Sequence, residues 1–204
     1  MEREASKNLL NVVLCGFPGS GKRSHSLLIE EKYGLIPIST GRLIREEIAK
    51  GTEIGNVAKP LIEHGENVPD ELAIRLIENK IKTSSNAKGF IFKGFPSTFV
   101  QAYILDGLLN KIGSSVTCVI NFESSSLQCM KRLTHRGKSP EARIYDCDPE
   151  IIIHRLEVYE ENAPKILEYY EKQDILYNVK DVNDTSTSFQ EVCNCIEKGA
   201  QKKR

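Results

Sequence analysis

Apolar residues fall into short runs separated by longer stretches in which they recur every three or four positions. The short runs, rich in β-branched and aromatic residues, predict strands at 11–15, 35–38, 90–93, 116–122 and 174–179. The periodic stretches predict helices over 22–33, 41–50, 54–64, 69–83, 98–110, 125–135 and 149–172, with a last one over 186–199. Pro164 predicts a break or kink in the long helix. Regular alternation of strand and helix predicts an α/β fold: a five-stranded parallel sheet between two helical layers, a three-layer α/β/α arrangement in one domain over 1–204. Ligands of such sheets gather beyond the carboxyl ends of the strands. No internal repeat, low-complexity tract or long linker interrupts the pattern.

One junction carries chemistry. The first strand runs into Gly16-Phe17-Pro18-Gly19-Ser20-Gly21-Lys22, and a helix follows. Strand, glycine-rich loop and helix, with Gly-x4-Gly-Lys spacing, describe a phosphate-binding loop. Glycines let successive backbone N–H groups turn toward one point. The helix start adds partial positive charge. Lys22 supplies a full and mobile one. The hydroxyl expected directly after the lysine comes one residue late, at Ser24, because Arg23 stands between. Donor-phosphate candidates are therefore Gly19, Ser20, Gly21, Lys22, Arg23 and Ser24.

Charge narrows the choice of partner. Lys+Arg and Asp+Glu both number 28, so the net charge is zero, and any positive field must come from local placement. That argues against nucleic acid or a membrane surface as partner. No apolar run approaches the ~18 residues of a membrane span, and the first residues lack the apolar core of a signal peptide. The expectation is a soluble cytoplasmic monomer. None of the six cysteines forms a Cys-x2-Cys pair. Cys15 and Cys118 read as small core residues, and Cys193 and Cys195 as positions on the last helix rather than metal ligands.

Further motifs carry a resemblance. After the glycine loop come Ser39-Thr40-Gly41, then Gly65-Glu66-Asn67-Val68-Pro69, then a run from Gly89 to Gly94-Phe95-Pro96. In order and spacing, along nearly the whole chain, these resemble the adenylate kinase family in its short-lid form. The resemblance implies reversible phosphoryl transfer from ATP to AMP, with Mg²⁺ entering as Mg-ATP. It implies a monophosphate-binding subdomain over 40–69 and a short lid over 137–149. It assigns Lys22, Arg136, Arg143 and Arg155 to catalysis, and Arg132, Arg136 and Asn183 to the ATP side. Thr40, Arg45, Glu66, Asn67, Val68, Gly94, Gln101, Arg143 and Arg155 fall to the AMP side. Thr40 and Gln101 match the AMP-using members, and a glutamine amide can both donate to and accept from an adenine edge. Arginine suits the cationic positions because its planar fork holds phosphate oxygens bidentately.

Four positions depart from that pattern. Lys93 stands where the family has an aspartate that orients the water shell of Mg²⁺. Ser97 stands where it has a phosphate-binding arginine. Arg23 replaces a glycine and Arg42 an aspartate. A direct protein ligand for Mg²⁺ is not expected beside Lys93, although its ammonium could instead pair with Asp146 or Asp148. Two readings stay open: an adenylate kinase-like enzyme, or a catalytically degenerate, nucleotide-binding regulatory homologue.

Overall fold

The computed structural model describes residues 9–180 and 185–203. Five strands, β1 (Leu10–Cys15), β2 (Ile36–Ser39), β3 (Gly89–Lys93), β4 (Cys118–Glu123) and β5 (Leu176–Lys180), form one sheet in the order β2-β3-β1-β4-β5. Every pairing is parallel. The helices are α1 (Lys22–Tyr33), α2 (Thr40–Lys50), α3 (Glu53–Glu63), α4 (Asp70–Lys82), α5 (Phe99–Lys111), α6 (Ser126–Gly137), α7 (Pro149–Glu171) and α8 (Thr185–Lys202), with a 3-10 turn at Ile144–Asp146.

β1 shows why the strands read as near-continuous apolar runs. Val13 and Cys15 belong to a cluster shared with α4, α5 and α7. Val12 and Leu14 belong to a second cluster shared with α1 and α8. Both faces are covered, so neither register of the alternation is free to be polar. The expected α/β/α layering follows. β1 pairs with β3 on one side and β4 on the other. The chain turns away to opposite edges there, which opens a crevice beyond the carboxyl ends.

Local chemistry fixes the helix ends. A capping box closes the start of α6, with Ser125 and Gln128 satisfying each other's backbone N–H. Thr98 accepts from the Gln101 N–H at the start of α5. Gly34 and Gly51 end α1 and α2 in left-handed conformation. The turn at Gly51 folds α3 back onto α2. Gly55 makes that contact possible, because a Cβ there would lie 2.3 Å from the Glu47 carbonyl oxygen.

Two expectations need correction. Element ends move by one or two residues in most cases, and α8 runs three residues further than predicted. Pro164 does not break α7, which is one helix from Pro149 to Glu171. Buried anchors lie on both sides of the proline: Ile152 and Leu156 before it, Ile166 and Tyr170 after it. Tertiary packing outweighs the lost backbone bond. Among the described residues, no helix is long and apolar enough to cross a membrane.

Candidate active site

The glycine loop leaves β1 and wraps the start of α1. Gly19 has φ 90°, and a Cβ there would lie 2.9 Å from the Cys129 carbonyl oxygen, so the loop is pressed against α6. Ser20 N–H donates to the Phe17 carbonyl at 3.0 Å. Gly21 caps α1 in left-handed conformation with no side-chain bond, and the first turn holds no acidic residue. The helix therefore offers uncovered amides and an uncompensated dipole to the cleft.

Lys22 folds back onto the loop. Its ammonium donates to the Gly16 carbonyl, to the Phe17 carbonyl at 2.7 Å and to Ser20 Oγ at 3.2 Å. The Tyr159 ring centroid lies 6.0 Å away. Burial, more than any neighbouring charge, pulls its pKa down to about 8. These carbonyls hold the ammonium in the place from which a phosphate would recruit it.

The cleft above the loop measures about 850 Å³, inside the ~300–1,000 Å³ range of small-molecule sites. Its walls bring together Gly19, Gly21, Lys22, Arg23, Ser24, Thr40, Arg45, Glu66, Asn67, Val68, Gly94, Arg132, Arg136, Arg143 and Arg155. Ser20 is buried beneath, 1% exposed. Asn183 lies outside the described residues. The lining cations include Arg42 and Lys93, and the carboxylates facing them are Glu30, Glu66 and Glu141.

Most of the arginines are held by partners from the 137–148 segment. Asp146, 2% exposed, receives Arg136 through two bonds of 2.7 and 2.8 Å and Arg155 through one of 3.0 Å. Burial alone would raise its pKa, but the two guanidinium groups hold the carboxyl below the usual range. Tyr145 is a second hub. Its hydroxyl oxygen accepts from Arg45 at 2.7 Å and Arg143 at 3.4 Å, and Arg155 stacks on its ring 4.4 Å from the centroid. Burial depresses the pKa values of Arg143 and Arg155. Arg23 reaches across the cleft mouth to Glu141 at 3.1 Å, and Arg132 lies 3.5 Å from the Gly19 carbonyl. Neither Tyr145 nor Asp146 was singled out for these roles from sequence. Their signal is faint: an aromatic and an acid following an arginine in an otherwise polar loop.

Gln101, the residue expected on an adenine edge, does not reach the cleft wall. It is 1% exposed. Its carbonyl oxygen accepts from the Ser97 N–H and hydroxyl at 2.8 and 3.1 Å, and its amide nitrogen donates to Asp70 at 2.8 Å. Thr40 does line the cleft, and its buried hydroxyl has no hydrogen-bond partner among the described residues.

Lys93 ends β3 on the cleft floor. It pairs with neither Asp146 nor Asp148, against expectation: the Asp146 oxygens belong to Arg136 and Arg155, and Asp148 caps α7 by accepting from the Glu150 N–H. Lys93 makes no hydrogen bond or ion pair among the described residues. No group of three or more His, Cys, Asp or Glu side chains among the described residues is arranged to hold a metal ion. Of the lining carboxylates, Glu141 is paired with Arg23 and Glu66 with His154 at 2.7 Å.

A parallel α/β sheet, a phosphate-binding loop at its switch point and a cleft ringed by arginines define a phosphoryl-transfer protein acting on nucleotides. Comparison with known proteins narrows this. The family model described as adenylate kinase matches residues 14–175. An adenylate kinase of Azobacteroides pseudotrichonymphae is 38% identical over 189 residues, covering 93% of this chain and 98% of its own length. One of Archaeoglobus fulgidus is 33% identical over 214 residues, covering 93% and 99%. One of Parabacteroides distasonis is 42% identical over 162 residues, covering 79% and 84%. The chain belongs to the adenylate kinase family, enzymes that transfer a phosphoryl group between ATP and AMP and use ATP as its magnesium complex.

Proposed function

We propose that the cleft transfers the γ-phosphoryl group of ATP to AMP, with the loop and Lys22 on the donor phosphates and Arg45 on the acceptor phosphate. The observation that supports this reading is the pairing of α1 amides that no side chain caps with a Lys22 held on the loop, facing the Arg45–Tyr145–Arg143 chain across one cleft. An acceptor phosphate oxygen attacks the γ-phosphorus, that bond forms as the bond to the bridging oxygen breaks, and ADP leaves on each side. The attacking oxygen is already ionised, so no base is needed. What the protein supplies is alignment and positive charge. Arg132 and Arg136 fall to the ATP side, with Arg143 and Arg155 between the two phosphates. Residues 40–69 then act as the acceptor arm and 137–149 as the lid that excludes water. Thr40, whose hydroxyl is unpaired among the described residues, is placed to meet the acceptor base; Gln101 joins it only if it leaves Ser97 and Asp70. The side chains present do not fit a direct protein ligand for Mg²⁺, because a lysine stands on the floor where a carboxylate would be required.

A coupled assay for ADP formation from ATP and AMP tests this. Lys22→Ala should cut kcat/KM by at least about a hundredfold while the circular dichroism spectrum stays unchanged; unchanged kinetics would overturn the reading. The degenerate alternative draws support from Lys93, and from Ser97, which lines the cleft with a neutral hydroxyl that donates to Gln101. It prevails if nucleotides bind and no ADP forms.

A further inference from the structure

Among the described residues, Lys93 is a cation without a paired counter-ion. It lines the same cleft as Lys22, and its charge is one of those that lower the pKa of Lys22. Burial is the largest influence on Lys93, followed by Arg143, Arg23, Arg42 and Arg45, and together they bring its pKa down to about 8. Of the three lining carboxylates, Glu141 is committed to Arg23 and Glu66 to His154, and Glu30 makes no ion pair with Lys93. A partly buried ammonium pressed by like charges is stabilised only when an anion arrives.

Mg²⁺ needs oxygen ligands in near-octahedral array and sheds water reluctantly. A cation riding on the outer phosphates of a nucleotide in the loop would have to sit beside the Lys93 ammonium, and among the described residues no carboxylate is paired with that ammonium to offset the repulsion. The ammonium itself offers three donors to phosphate oxygens. We propose that Lys93 takes the place of the divalent cation: the cleft binds a nucleoside triphosphate in its metal-free, fully ionised form, and Mg²⁺ competes with the protein for that ligand. The inference rests on the reading of the cleft as a donor-nucleotide site.

Calorimetric titration of the full chain with ATP, once in EDTA and once in excess Mg²⁺, tests it. The wild type should bind at least about tenfold more tightly in EDTA, the scale of one charge contact near a protein surface. Lys93→Met should lose about that factor in EDTA while binding in Mg²⁺ changes little. Lys93→Asp should reverse the preference and bind more tightly with Mg²⁺. Equal or tighter wild-type binding in Mg²⁺ overturns the inference and leaves the donor-site reading standing. An unchanged metal-free affinity in a folded Lys93→Met protein overturns it too. A folded wild type that binds ATP in neither buffer overturns both.

Discussion

One phenolic oxygen holds two guanidinium groups from opposite sides of the cleft. Arg45 comes from α2 and Arg143 from the loop after α6, and Tyr145 accepts from both. An arginine has donors to spare, so each can keep that bond and still grip a phosphate. Tyr145→Phe removes the acceptor but keeps the ring under Arg155. It should raise KM for AMP roughly tenfold, the cost of one hydrogen bond to a charged group, with KM for ATP nearly unchanged; steady-state kinetics against each substrate separately checks this. Asp146 acts on stability. Asp146→Asn leaves two partly buried guanidinium groups short of a counter-charge and should cost about 3 kcal/mol at pH 7, lowering Tm by roughly 6–12 °C. The folded-state pKa of Asp146 lies below its unfolded value. Its contribution is thus complete above the ordinary carboxylate range and lost as pH falls through the depressed value. Urea unfolding of both proteins from pH 7 down to pH 2 should show the gap closing in that acid window. Arg45, Arg132, Arg136, Arg143 and Arg155 were legible in the sequence through the family resemblance, and all five line the cleft. Tyr145 and Asp146 were not, because their roles depend on a 3-10 turn that folds the segment back over the cleft, and nothing periodic marks it.

Elements were legible where their causes are local. The glycine loop is one: its strand, left-handed glycines and helix start lie within a dozen consecutive residues. α1 was predicted with both ends correct, because Gly21 and Gly34 punctuate it. α7 was predicted within one residue at its end, but not its continuity through Pro164, which is made by core contacts on both sides of it. The same limit hid the fate of Gln101. Its helix, α5, was predicted; its side-chain direction depends on Asp70, which opens α4. Ser97 then completes a polar set that occupies both lone pairs of the amide oxygen and, with Asp70, one of its two N–H donors. A residue read as a base reader is, in this conformation, a clasp between the start of α4 and the start of α5.

At the scale of the whole molecule, composition misleads. Equal numbers of acids and bases suggest no field, yet the cleft gathers cations while its carboxylates are mostly paired. Nucleotide affinity should therefore fall several-fold between low salt and about 0.5 M KCl, as screening shortens the reach of that field. Titration across salt concentration at constant pH reads it directly. The contact of Gly55 with the Glu47 carbonyl has a mechanical consequence. Backbone lies on backbone there, with no side chain between to slide or bend. α2 and α3 thus form a stiff lever, and Arg45 rides on it. Amides of the two helices should exchange with deuterium as one cooperative unit, and Gly55→Val should split them into two. For the acceptor arm proposed over 40–69, that contact favours turning α2 and α3 as one piece over flexing them along their length.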